Sequence, residues 1–165
     1  MKKIQMVDLK GQYAPIKDQV NSSIQEVINT TSFINGPKVK ALESEVVKLT
    51  QCKEALCVNS WTSGAILMLK WFGIGPGDEV IVPEVTWVAT ANAVRYVGAT
   101  PVFADIDPVT WCMDPQSVEK LITKKTKAIV VVHYAGVSCN MDPIVAIAKK
   151  HKLYIVEDAA KAILS

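Results

Sequence analysis

Ala128-Ile129-Val130-Val131-Val132 stands immediately before His133. The run is apolar without alternation, the pattern of a strand covered on both faces rather than one with a wet side. Outward from it lie four more β-rich runs, Ala55–Val58, Glu79–Val82, Pro101–Ala104 and Leu153–Val156. Helix-length segments separate them near Ser63–Phe72, Val88–Val97, Pro115–Ile122 and Asp142–His151. Repeated strand–helix–strand units of this length predict an α/β fold: a mainly parallel sheet with helices on both faces and right-handed crossovers.

The first 50 residues have a different character. Polar, helix-like stretches run over Ala14–Thr30 and Lys38–Thr50, joined by the turn Phe33-Ile34-Asn35-Gly36-Pro37. Leu42, Val46, Val47 and Leu49 give the second stretch an apolar stripe at helical spacing. The expected organisation is therefore an N-terminal helical segment over 1–50 and an α/β domain over 51–165. After the fifth expected strand come only Ala159-Ala160-Lys161-Ala162-Ile163-Leu164-Ser165, with no closing helix. Five parallel strands need both faces covered, so the domain is expected to be truncated.

Composition narrows the function. The chain has 165 residues, of which 50% are hydrophobic and 21% charged, enough for a substantial buried core. Lys+Arg exceed Asp+Glu by only two, 18 against 16, and the basic residues are scattered. That excludes the dense basic footprint of a nucleic-acid binder. No stretch approaches the length of a membrane span, and Gln5, Asp8 and Lys10 interrupt any signal-peptide core. Cys52, Cys57, Cys112 and Cys139 form no CxxC pair, so no zinc site or disulfide framework is expected, and Cys57 reads as a packing residue. The chain is expected to be cytoplasmic and reduced.

Ligands of an open parallel sheet gather at the carboxyl ends of its strands. Three such ends are polar here. Asn59-Ser60-Trp61-Thr62-Ser63-Gly64 leads into a helix, where backbone N–H groups with the Thr62 and Ser63 hydroxyls either cradle a phosphate or simply cap the helix. Trp87, just past a strand, either lies against a planar ligand or belongs to the core. Asp158 either pairs with a protonated ring nitrogen or caps a helix. His133 reads as a packing or hydrogen-bonding residue. The glycines of Gly73-Ile74-Gly75-Pro76-Gly77-Asp78 precede a strand, whereas a dinucleotide-binding loop must follow one, so they read as a helix end and turn.

In order along nearly the whole chain, these motifs resemble the DegT/StrS family of pyridoxal-phosphate (PLP) sugar-nucleotide aminotransferases, which have the fold-type-I, aspartate aminotransferase fold. The landmarks are Phe33–Pro37, Asn59–Thr62, Gly75–Ile81, Thr86–Asn92, Pro101–Pro108, His133–Gly136, Met141-Asp142 and Glu157–Ala160. They correspond to about the first half of a family member. The resemblance implies that PLP phosphate rests on Ser60, Thr62 and Ser63, that Trp87 stacks on the pyridine ring and that Asp158 pairs with its nitrogen. Lys161 stands where the family has Gln or His near the phenolic oxygen. Phe33 and Asn35 lie in a segment that resembles one reaching toward a neighbouring site and its substrate. By the same resemblance the whole enzyme is a homodimer that aminates nucleotide-linked keto-sugars with glutamate. Its Schiff-base lysine corresponds to a position beyond Ser165, so no catalytic residue is assigned here and the 165 residues alone are not expected to turn over. Two other outcomes remain open at this point: an inactive fragment or scaffold subunit, and a sugar dehydratase of the same fold with His in place of that lysine.

Overall fold

The computed structural model describes residues 6–164. The chain divides into two compact units between Cys57 and Val58. In the first, helices α1 (Leu9–Tyr13), α2 (Lys17–Asn29) and α3 (Pro37–Thr50) follow one another. The single helix expected over Ala14–Thr30 is broken at its start, where Ala14–Ile16 forms a 3-10 turn. Pro15 is the cause, because it lacks the N–H that a continuous α-helix would use. Pro37 opens α3 at the position where that missing N–H costs nothing, and Gln51 ends it in the left-handed conformation. Among the described residues of this unit none is fully buried.

Ala55–Val58 is not a strand. Its backbone finds no ladder: the Cys57 N–H donates to the Glu43 carboxylate at 2.8 Å instead. Cys57 is consequently exposed rather than packed. Among the described residues the sheet has four strands, not five.

The second unit carries that sheet: β1 (Glu79–Pro83), β2 (Thr100–Ala104), β3 (Thr126–Val132) and β4 (Tyr154–Asp158), all parallel, in the order β2-β1-β3-β4. Pro101 is tolerated because β2 is an edge. Four helices complete the unit: α4 (Trp61–Trp71), α5 (Ala89–Tyr96), α6 (Pro115–Leu121) and α7 (Met141–His151). The strands sort their residues by parity, as a pleated backbone must. Val80, Val82, Ala128, Val130 and Val156 bury with Leu69 of α4 and Val94 of α5. Ile81, Ile129 and Val131 bury on the other face with Val118 of α6 and Ile144 of α7. Helices thus cover both faces, as the run at Ala128–Val132 requires.

Gly73 and Gly77 have φ of +72° and +93°, and an added Cβ would meet nothing at either. They serve a turn closed by Asp78, whose carboxylate accepts from the Gly75 N–H at 3.0 Å.

Candidate functional site

The strand order reverses between β1 and β3, since β2 lies outside the first and β4 outside the second. A crevice opens at the carboxyl end of such a switch point. Here it is a cavity of about 540 Å³, walled by Trp61 and Thr62 of α4, Trp87 after β1, His133 after β3, and Asp158 and Lys161 at and after the end of β4. Four of the expected site residues, Thr62, Trp87, Asp158 and Lys161, therefore meet in one chamber.

The helix start is built by Ser60. Its Oγ accepts from the Ser63 N–H at 3.1 Å and bonds the Ser63 hydroxyl at 3.1 Å, while its carbonyl accepts from Gly64. Ser60 and Ser63 thus satisfy each other and do not form the chamber wall. The N–H groups of Trp61 and Thr62 keep no acceptor among the described residues, as expected of a first helical turn. The Trp61 indole Nε1 is also buried without an acceptor. Trp61 was not singled out as a site residue by sequence reasoning. Its signal was its place at the first position of α4, directly beside Thr62.

Trp87 is not a core residue: it is 78% exposed. Below it, the hydroxyls of Thr86 and buried Thr90 lie 3.1 Å apart and tie the loop after β1 to α5. These two threonines also line the chamber and were not anticipated.

Asp158 ends β4. Burial pushes its carboxyl above the ordinary carboxylate value, opposed by the Ala160 N–H on Oδ1 and by nearby His133. Among the described residues it makes no ion pair.

His133 is only 7% exposed, and both ring nitrogens are engaged. Nδ1 accepts from the Cys139 backbone N–H at 3.1 Å, so the neutral ring carries its proton on Nε2, which donates to Glu157 Oε2 at 3.2 Å. Its own backbone N–H donates to the Asp158 carbonyl at 3.1 Å and extends the β3–β4 ladder to the chamber floor. A Cys–His nucleophile is excluded, because Cys139 Sγ donates to the Val132 carbonyl and burial pushes its thiol up to about 12. His133→Ala leaves a buried N–H unpaired and is expected to cost about 2 kcal/mol of unfolding free energy, read by denaturant titration.

Phe33 and Asn35 belong to the first unit. Phe33 is 65% exposed, and Asn35 adopts a left-handed φ of +48° in the turn before α3.

Comparison with known proteins adds the family. The model of the DegT/DnrJ/EryC1/StrS aminotransferase family matches residues 15–165. The chain belongs to that family. It is 45% identical over 160 residues to the UDP-N-acetyl-3-dehydro-alpha-D-glucosamine 3-aminotransferase of Acidithiobacillus ferrooxidans, covering 97% of this chain and 43% of that protein. It is 42% identical to the UDP-2-acetamido-2-deoxy-3-oxo-D-glucuronate aminotransferase of Pseudomonas aeruginosa, over 96% of this chain and 44% of the other. The chain thus spans about two fifths of the length of the curated relatives it matches.

Solved structures agree on the fold. DesV of S. venezuelae, in complex with a ketimine intermediate, superposes with a TM-score of 0.95 at 37% identity, over 99% of this chain and 44% of that one. NtdA of Bacillus subtilis, with bound cofactor PMP, gives 0.91 at 33% identity, over 99% and 38%. The architecture is therefore that of these aminotransferases over the part of them that this chain spans. Among the described residues, no helix is long and apolar enough to cross a membrane.

Proposed function

We propose that this chain builds the cofactor-holding core of a PLP-dependent aminotransferase of nucleotide-linked keto-sugars, with glutamate as amino donor, working as a cytoplasmic homodimer. One observation carries the reading: an unpaired carboxylate, an uncovered indole and an open helix start, from Asp158, Trp87 and Thr62, line the same cavity. The substrate class is supported by the relatives, whose names describe aminotransferases of UDP-linked keto-sugars.

The residues fit the cofactor. A cavity of about 540 Å³ suits a drug-sized ligand. PLP is planar, carries a phosphate at one end and has a basic ring nitrogen. Two free N–H groups and the Thr62 hydroxyl at the start of α4 would hold the phosphate, aided by the positive end of the helix dipole. Ser60 and Ser63 support that start by fixing its first turn. The Trp87 indole would cover a ring face. The Asp158 carboxylate would hold the proton on the ring nitrogen, and the pairing would relieve the cost of its own burial. When bound, PLP supplies the electron sink for transamination. We assign Phe33 and Asn35 to substrate contact at the neighbouring site of the homodimer.

The test is a PLP titration of the full chain, followed by quenching of tryptophan fluorescence. The expected result is saturable quenching that is lost in Trp87→Phe combined with Asp158→Asn. A linear, non-saturating response identical in wild type and double variant overturns the proposal.

A further inference from the structure

Among the residues that line the chamber, Lys161 alone carries a primary amine. Its Nζ makes no ion pair among the described residues, not even with Asp158 on the same wall. Its backbone is nevertheless held closely. A Cβ built on Gly136 would come within 3.0 Å of the Lys161 carbonyl oxygen, and Gly136 has φ of +91°. Only glycine fits both the conformation and the approach. The Tyr134–Gly136 turn is itself part of the chamber side, with Tyr134 braced by the Trp111 ring at 6.0 Å. Lys161 therefore lines the cavity with its backbone packed closely against Gly136 and with an amine that makes no ion pair among the described residues.

We propose that Lys161 is a covalent capture site for the aldehyde of PLP in this chain, distinct from the family lysine that corresponds to a position beyond Ser165. The inference rests on the reading of the chamber as a PLP site. The neutral amine adds its lone pair to the aldehyde carbon and forms a carbon–nitrogen bond. The adduct then loses one water, made of the aldehyde oxygen and the two amine hydrogens, and leaves a C=N bond. No oxidant or reductant is needed. Nearness supplies the selectivity, because an amine held beside a bound carbonyl outcompetes lysines in free solution.

The experiment adds PLP, below one equivalent, to the full 165-residue chain, reduces with borohydride and maps the pyridoxyl label by peptide mass spectrometry. Tryptophan quenching is followed on the same samples. Label on Lys161 is expected to exceed the mean of the other lysines by about tenfold, the preference of a positioned amine. Lys161→Ala and Lys161→Arg abolish that peak; the arginine variant keeps the charge and so separates nucleophile from ion pair. Lys127→Ala, at the opposite end of β3, leaves the peak in place. Saturable quenching with label spread evenly over the lysines, unchanged by Lys161→Arg, overturns the capture site and leaves the PLP-site reading intact. Absence of saturable quenching overturns both.

Discussion

Asp158→Asn is expected to weaken PLP binding about ten- to hundredfold, the equivalent of losing one charge-assisted contact of roughly 1.5–3 kcal/mol. The same substitution is expected to stabilise the unliganded chain at neutral pH. Burial raises the Asp158 carboxyl above its ordinary value, so the folded chain holds that proton more tightly than the unfolded chain does. The resulting stabilisation is fully present below the unfolded value and is lost as pH rises through the folded one. Asparagine has no such loss. Its stability relative to wild type must therefore climb between acid and neutral pH, as measured by denaturant titration across that range. A residue that served only the fold would show the opposite: lower stability in the variant and no change in ligand affinity beyond it.

Trp87→Ala is expected to lower PLP affinity by about tenfold or more, combining lost apolar contact with the roughly 0.5–1.5 kcal/mol of ring stacking. The fold should hardly notice, because the indole is 78% exposed and such surface changes stay within about 0.5 kcal/mol. Trp71→Ala is the control. Trp71 is equally uncovered on α4 but lies outside the chamber wall, so its loss should leave affinity unchanged. Equal effects of the two substitutions on binding would mean that quenching reports on general surface contact.

Much of the architecture was legible because it is local. A β-branched run such as Ile129–Val132 can be covered on both faces only by a sheet between helices, and β1, β3 and β4 lie within a few residues of their expected places. The misreadings were tertiary. Ala55–Val58 has strand composition, but a strand exists only where a neighbour offers a ladder, and Glu43 takes its N–H instead. Pro15 was visible, yet it divided what was read as one helix. Thr62, Trp87 and Asp158 could be flagged because each follows a strand or opens a helix, and Lys161 because the family resemblance places its position near the cofactor. Their convergence on one cavity follows from the strand order, which no single segment encodes. Trp61, Thr86 and Thr90 escaped notice for that reason. Ser60 and Ser63 stand at the start of α4 with their hydroxyls 3.1 Å apart, a pairing that depends on their folding into one helical turn.

The Asp158 carboxylate is proposed to hold a proton on the ring nitrogen of PLP in this chamber. The most direct measurement is the nitrogen NMR shift of ¹⁵N-ring-labelled PLP bound to the full chain near neutral pH. A protonated pyridinium shift in wild type, reverting to the unprotonated value in Asp158→Asn at saturating ligand, is the predicted result. An unprotonated ring nitrogen in the bound wild-type chain would contradict it.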